Sequence, residues 1–339
     1  MAATDMYVLP AGAGLKNGLS WANAFSPTEL ETDMETLSEP GDRYFVMGGV
    51  GDYNIVSNIQ ALRNGTPVLP ICIYGVKPGT TNEPPVESDW AERDNRPYFN
   101  MGAAAGIFFR VQHNWDIRNV RLRKSGALIN GFAMRLDTGG YVINCKLENI
   151  TTGIGDSWGL YNKGGSGGTT IIDCELVCTN GYAASLEGSK VYASYAHDSR
   201  VGYQIDGGYN FVISCIANNM TESGIYIPES SYALFLGNTL NNCFRGIDNE
   251  TVVTGYCSIM NNCLSNCTTG IHFDSAVLGN FVDWNNYWNN GTDVNNVVKG
   301  PNAMAVDPQY INAVGGDLSL NTASALIRAG FGIRLGVGV

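Results

Sequence analysis

The chain has 339 residues, 44% of them hydrophobic, 42 of them glycine and only 15% charged, a composition that supplies a core and frequent turns and excludes a disordered chain. Twenty Lys and Arg against 31 Asp and Glu give a net charge of −11, which excludes a phosphate-tracking surface and leaves nucleic acid out of the expected partners. No run of apolar residues is long enough for membrane insertion, and Met1-Ala2-Ala3-Thr4-Asp5 lacks the basic and apolar stretches of a secretory leader.

Met6-Tyr7-Val8 reads as an entry strand. Ser26-Pro27-Thr28-Glu29 is a capping box with proline at the first helical position, and Leu30, Met34 and Leu37 follow at helical spacing until Pro40-Gly41 ends the helix. Residues 1–50 are thus expected to hold an entry strand and a short helix that covers the open end of whatever follows. Residues 51–290 are expected to form one repetitive body and residues 291–339 its C-terminal cap and tail, all in one continuous domain.

The repeat is a glycine followed by a large residue: Gly181-Tyr182, Gly202-Tyr203, Gly224-Ile225, Gly246-Ile247 and Gly270-Ile271, spaced 21, 22, 22 and 24 residues apart. This interval fits one coil of a β-solenoid and is too short for helical repeats. After each glycine comes an alternating segment, such as Ile225-Tyr226-Ile227 or Ile271-His272-Phe273, which puts Ile and Phe inside and Tyr or His outside. A polar turn, a second apolar run such as Phe211-Val212-Ile213 or Leu234-Phe235-Leu236, and an Asn- and Cys-rich bend complete the coil. The expected fold is therefore all-β, a right-handed parallel β-helix of three-strand coils.

Like residues should stack on like corners, about 4.8 Å apart. Cys145, Cys174, Ser194, Cys215, Asn238 and Asn262 form one such set, and Asn149, Asp198, Asn219, Asn242 and Asn266 another, since stacked Asn amides bond to one another and to bend backbone. The nine cysteines show no C-x-x-C pair, and Cys243 and Cys267 should be neighbours whose side chains run parallel, so buried thiols are expected and no disulfide.

Asp137, Glu187, Asp206, Glu229, Glu250 and Asp274 follow their coils' glycines by four to six residues and should line one edge of the first sheet. Turn chemistry accounts for such residues. The same spacing also suits a cation or sugar site or a catalytic carboxyl pair, for which Asp206 with Glu229 is the choice. His113, His197 and His272 lie on separated coils and give no metal site. Gln204, Tyr226 and His272 should share the outward face of the first sheet as a sugar-facing strip, joined by the aromatic cluster Trp284, Tyr287 and Trp288, which equally suits a packed C-terminal cap.

The entry segment through Gly18-Leu19-Ser20-Trp21-Ala22-Asn23-Ala24-Phe25 and Pro40-Gly41-Asp42 resembles that of pectate-lyase-like β-helix proteins. The closing Asp307-Pro308, Gly316-Asp317-Leu318-Ser319-Leu320 and Ala329-Gly330 look like that superfamily's tail. With the coils, the resemblance covers nearly the whole chain. It implies the fold more than the function, because lyases, hydrolases, epimerases and phage tailspikes all belong to the superfamily. The Asp-Asp pair and Gly-His-Gly of polygalacturonase-like hydrolases are missing here, and Arg121-Leu122-Arg123-Lys124 only loosely echoes their Arg-x-Lys. Of the pectate lyases' calcium cluster and facing base, the acidic edge supplies half. No cofactor is expected, therefore, beyond calcium at that edge.

A β-helix with many thiols and no leader leads to a virion-surface protein of a bacteriophage, a capsid or tail decoration or a tailspike-like binder of a host surface glycan. It would be assembled in the host cytoplasm among other virion proteins as a homo-oligomer, a trimer if it follows the tailspikes it resembles. The alternative is a secreted polysaccharide lyase or glycoside hydrolase acting on an acidic polysaccharide.

Overall fold

A computed structural model describes residues 3–55, 59–102, 107–126, 131–153, 156–163, 168–229, 232–250, 256–275 and 279–327. Ala329-Gly330 lies outside them. The chain divides into two units, Met1–Asn180 and Gly181–Val339, and in both, strands pair in parallel with those one coil further on. No helix among the described residues is long and apolar enough to cross a membrane.

In the N-terminal unit, strand Asp5–Val8 pairs with Arg43–Met47, which pairs in turn with Ile71–Val76. Between the first two runs helix α1 (Pro27–Thr36), whose capping box closes where Ser26 N donates to Glu29 Oε2 at 3.0 Å. Leu30 and Met34 are buried as the spacing predicts, but Leu37 is 64% exposed. The helix ends at that residue and Ser38 turns inward in its place, its hydroxyl on Met34 O at 3.2 Å. Tyr44 Oη donates to Asp33 Oδ2 at 2.6 Å and Arg63 Nη2 to Thr36 O at 2.7 Å, fixing the helix to neighbouring strands.

Coils in this unit are longer than the expected 21–24 residues. Partner residues Phe45 and Tyr74 lie 29 apart, Tyr74 and Arg118 44, Ile117 and Val142 25, Val142 and Ile171 29. The extra length sits in corner loops; residues 77–97 hold two short 3-10 turns, Glu87–Asp89 and Arg93–Asn95.

The C-terminal unit follows the repeat closely. On its first sheet, successive partners Ala184, Tyr203, Ile225, Ile247, Ile271 and Val294 lie 19, 22, 22, 24 and 23 residues apart. The short first step corrects one element of the repeat, because pairing of Ala184 with Tyr203 sets Ala183, not Gly181, beside Gly202. From Gly202 on, the glycine has a spatial cause. A Cβ at Gly202 would stand 2.5 Å from Gly224 O, at Gly224 2.7 Å from Gly246 O, and at Gly246 2.5 Å from Gly270 O. Ile225, Ile227, Ile271 and Phe273 point inward and are buried, as are Val212 and Phe235 on the second sheet.

Both corner sets form, each for a backbone reason. Ser214, Gly237, Asn261 and Trp284 take φ of 57°, 67°, 54° and 51°, and the residue after each turns inward. Cys215 N donates to Asn238 Oδ1 at 2.9 Å, Asn238 N to Asn262 Oδ1 at 3.0 Å and Asn262 N to Asn285 Oδ1 at 2.9 Å. Asn285 is a further rung that the glycine count did not reach. At the outer corner Asp198, Asn219, Asn242, Asn266 and Asn289 have φ between 49° and 60°, a conformation Asn tolerates better than most residues. Asn219 donates to Asp198 Oδ1 and Asn242 to Asn219 Oδ1, while Asn266 turns to Asn241 Oδ1. Asn149 does not belong to this set. It lies mid-strand in Lys146–Thr151 of the N-terminal unit, buried, its amide on Gly131 O and Trp158 O.

All nine cysteines are buried free thiols. Cys243 and Cys267 occupy adjacent rungs and donate to Ala217 O and Leu240 O. The C-terminal segment folds back as an antiparallel pair, Tyr310–Asn312 with Asp317–Leu320. Leu318 packs on Tyr195 and Ile216 of the third sheet.

Candidate functional site

The outward face of the first sheet in the C-terminal unit carries the expected strip. Gln204 pairs with Tyr226, Tyr226 with Asp248, Asp248 with His272 and His272 with Asn295, so all five occupy one position on successive coils. Inward Ile and Phe neighbours force this orientation through the period of two. Tyr226 Oη donates to Glu250 Oε2 at 2.8 Å. His272 holds Asp274 Oδ1 through Nε2 and Asn295 Nδ2 through Nδ1, both at 3.0 Å.

Asp206 ends the strand Val201–Ile205, receiving Ser185 Oγ–H at 2.5 Å and Gln204 Nε2–H at 2.7 Å. Burial pushes its carboxyl above the ordinary range against those two hydrogen bonds, and the like charge of Glu229 adds to the rise. Extending the Gln204–Tyr226 register sets Asp206 opposite Pro228. Glu229 is therefore exposed one residue beyond the rung the sequence assigned it. Glu250 and Asp274 share a rung, since Asn249 pairs with Phe273. Asp137 lies in the other unit, in a different setting.

A proton held more tightly by the folded chain gives a sign for stability. Because Asp206 is raised, its contribution is fully present below the unfolded carboxyl value of about 3.9 and is lost as pH rises through the higher folded value. The neutral variant Asp206→Asn is expected to gain on wild type between acid and neutral pH. Urea unfolding of both chains at each pH measures it; parallel pH profiles would sink the assignment.

Sequence reasoning missed Arg245 and Asp248. Arg245 Nη1 donates to both Asp248 oxygens at 2.9 Å and approaches Glu250 Oε1 at 3.5 Å, while Ser223 Oγ donates to Asp248 Oδ2 at 3.0 Å. Asp248 is buried, and burial raises its carboxyl although the guanidinium opposes. The signal was its place two residues after Gly246, the same offset as Gln204, Tyr226 and His272.

The aromatic cluster divides. Tyr287 is buried, with Lys299 Nζ 4.9 Å from its ring centroid, so it packs the end of the unit instead of facing a ligand. Trp288 is half-buried and Trp284 is 45% exposed on another face, beside Phe281.

The N-terminal unit holds a second arrangement the sequence did not signal. Arg110 Nε and Arg135 Nε each donate to Asp137 at 2.7 Å. Burial would raise the Asp137 carboxyl, but the two guanidiniums hold it below its usual value. Alongside, Phe132 stacks on Trp158 at 4.9 Å and meets Tyr161 at 4.8 Å, with the Arg135 guanidinium 5.9 Å from the Phe132 centroid. The pattern Phe132-x-x-Arg135 beside Trp158-x-x-Tyr161 would have revealed it once the register between those strands was known. Among the described residues no three of His, Cys, Asp and Glu converge as a metal site needs.

These parallel coils have the pectate-lyase-like β-helix fold. Among solved structures the chain is similar to pectate lyase Pel9A, with 12% identity over 96% of this chain and 91% of that one at a TM-score of 0.64. It is also similar to a rhamnogalacturonan lyase, with 12% identity over 91% of each chain at a TM-score of 0.50. No protein-family model and no curated protein matches the sequence.

Proposed function

We propose that the protein is carbohydrate-active, that a polysaccharide lies along the first-sheet face of the C-terminal unit, and that Asp206 delivers a proton to the glycosidic oxygen. One observation carries the reading: a carboxyl kept protonated by burial stands beside a second carboxyl, Glu229, on a strip whose Tyr226 and His272 face outward. Tyr226 offers a ring edge and hydroxyl, His272 and Asn295 offer donors and acceptors, and Glu229 suits activation of water or stabilisation of the developing positive charge. The likeness to two polysaccharide lyases supports the substrate class. Helix α1, on this reading, shields the open strand edges at the start of the coils.

Incubation with a panel of acidic and neutral polysaccharides is expected to release oligosaccharides. Asp206→Asn should lower turnover by about 100-fold or more while leaving binding in place. The wild-type rate should fall as pH rises through the Asp206 value. Full turnover by Asp206→Asn would refute the acid assignment. Release that requires calcium and stops with chelator would instead make the acidic edge a cation site and the chemistry elimination.

A second reading has one observation behind it. Nine free, buried thiols suit a chain folded in reducing surroundings, as a virion-surface protein binding a host glycan on the same strip would be. Tight binding without any product, together with the chain's recovery in purified particles, would decide for it.

A further inference from the structure

The second sheet of the C-terminal unit turns a different face to solvent. Tyr209 pairs with Tyr232, and the pairing of Ala233 with Cys257 sets Tyr256 on the next rung. Their rings follow one another at 5.1 and 5.9 Å, tilted by 22° and 33°. Phe281 and Trp284, 6.0 Å apart, lie on the coil beyond. The five are 68%, 46%, 57%, 46% and 45% exposed. Beside the tyrosines, Phe211, Leu234 and Leu236 point the same way and are half-buried.

Charge is nearly absent from this face. On the described strands Lys190–Tyr192, Tyr209–Ile213, Tyr232–Leu236, Cys257–Met260 and Phe281–Asp283 the only charged residues are Lys190, exposed on the first of them, and Asp283. Asp283 is buried, with Trp284 N, Asn302 N and Asn302 Nδ2 on its oxygens.

Three properties select the occupant. The first is area: at about 200 Å² for a whole aromatic side chain, the exposed parts of the five rings alone leave about 500 Å² of apolar surface, near the top of what a monomer ordinarily shows. The half-buried aliphatic neighbours bring it toward the roughly 800 Å² that each partner gives a stable protein complex. The second is ring geometry. The tyrosines already cover one another's faces and present edges and hydroxyls, which removes the flat platform a sugar ring stacks on. The third is charge, since two copies at −11 each repel unless they meet where neither presents carboxylates.

We propose that this face is a two-fold interface between two copies of the chain. Rungs spaced by about 4.8 Å fit their own copy run antiparallel, each ring entering the gap between two rings opposite, so the surface is self-complementary as a two-fold contact requires. The interface lies on a different sheet from the strip of Gln204, Tyr226 and His272 and leaves that strip open in both copies.

Sedimentation velocity of the whole chain over a dilution series is expected to show a dimer that dissociates, and Tyr232→Asp, which sets a carboxylate mid-column, should weaken it by about 100-fold. Tyr209→Ser, at the end of the tyrosine column, should keep the native circular dichroism and thermal transition and weaken the dimer by a smaller factor. A wild-type chain that stays monomeric up to its solubility limit overturns the proposal. So does a dimer that both substitutions leave intact, and so does a trimer, in which the face would meet a different surface. A monomer whose tyrosine fluorescence responds to a neutral β-glucan oligosaccharide would give the face to a glycan and overturn it equally.

Discussion

Replacing Gly246 by alanine is expected to lower the unfolding free energy by about 3 kcal/mol, the upper range for forcing atoms into a filled interior. The added Cβ would lie 2.5 Å from Gly270 O and 2.8 Å from Leu264 Cδ2. The first contact is backbone of the next coil, which cannot retreat without breaking the strand pairing of Ile247 with Ile271. Gly207→Ala serves as the control. No atom stands within 4 Å of its Cβ position, so its cost comes only from a φ of 67° and should be about 1 kcal/mol. Urea denaturation of both variants tests the pair; equal losses would show that close approach of the coils is not what selects glycine at Gly246.

The second large effect is expected at Asn262, which is fully buried and connects three coils. Its Oδ1 accepts from Asn238 N and Nδ2, and its Nδ2 donates to Phe235 O and Asn285 Oδ1. Alanine removes all four bonds and strands partners that no water reaches in a closed corner. At about 1–3 kcal/mol for each buried group left unsatisfied, and with some relaxation, a loss of about 4 kcal/mol is expected. Calorimetric melting of Asn262→Ala checks it, and a loss under about 1 kcal/mol would mean that the stacked amides merely fill space. Asn242→Ala, at the exposed outer corner, gives up one amide bond to Asn219 and should cost much less.

These two residues also explain why the coils could be read from sequence. Close approach admits only glycine at Gly224 and Gly246, and the closed corner rewards the same amide at Asn238, Asn262 and Asn285, so geometry imprints a period on the chain. The N-terminal unit was not legible in this way. Loops such as residues 77–97 separate its rungs by up to 44 residues, and rungs at unequal distances leave no period to count.

The candidate site was half legible for a related reason. Strand alternation put Gln204, Tyr226 and His272 on one face without any knowledge of contacts. Asp248 stayed hidden because its carboxylate turns back onto Arg245 and Ser223, and a buried ion pair looks in sequence like two ordinary surface charges. Glu229 was misplaced by one because Pro228 occupies the rung, and Tyr287 was read as exposed although it fills the end of the unit.

The two amide columns run in opposite senses. Asn238 donates to Asn262 and Asn262 to Asn285, toward later coils, whereas Asn242 donates to Asn219 and Asn219 to Asp198, toward earlier ones. Every interior coil therefore offers its neighbours the same acceptors on one side and the same donors on the other. A duplicated coil spliced between two existing ones would find both columns waiting for it and would restore each bond it interrupted. Such a molecule can lengthen or shorten by whole coils over its history without redesign, with Asp198, an acceptor that donates nothing onward, as a natural terminus of the outer column.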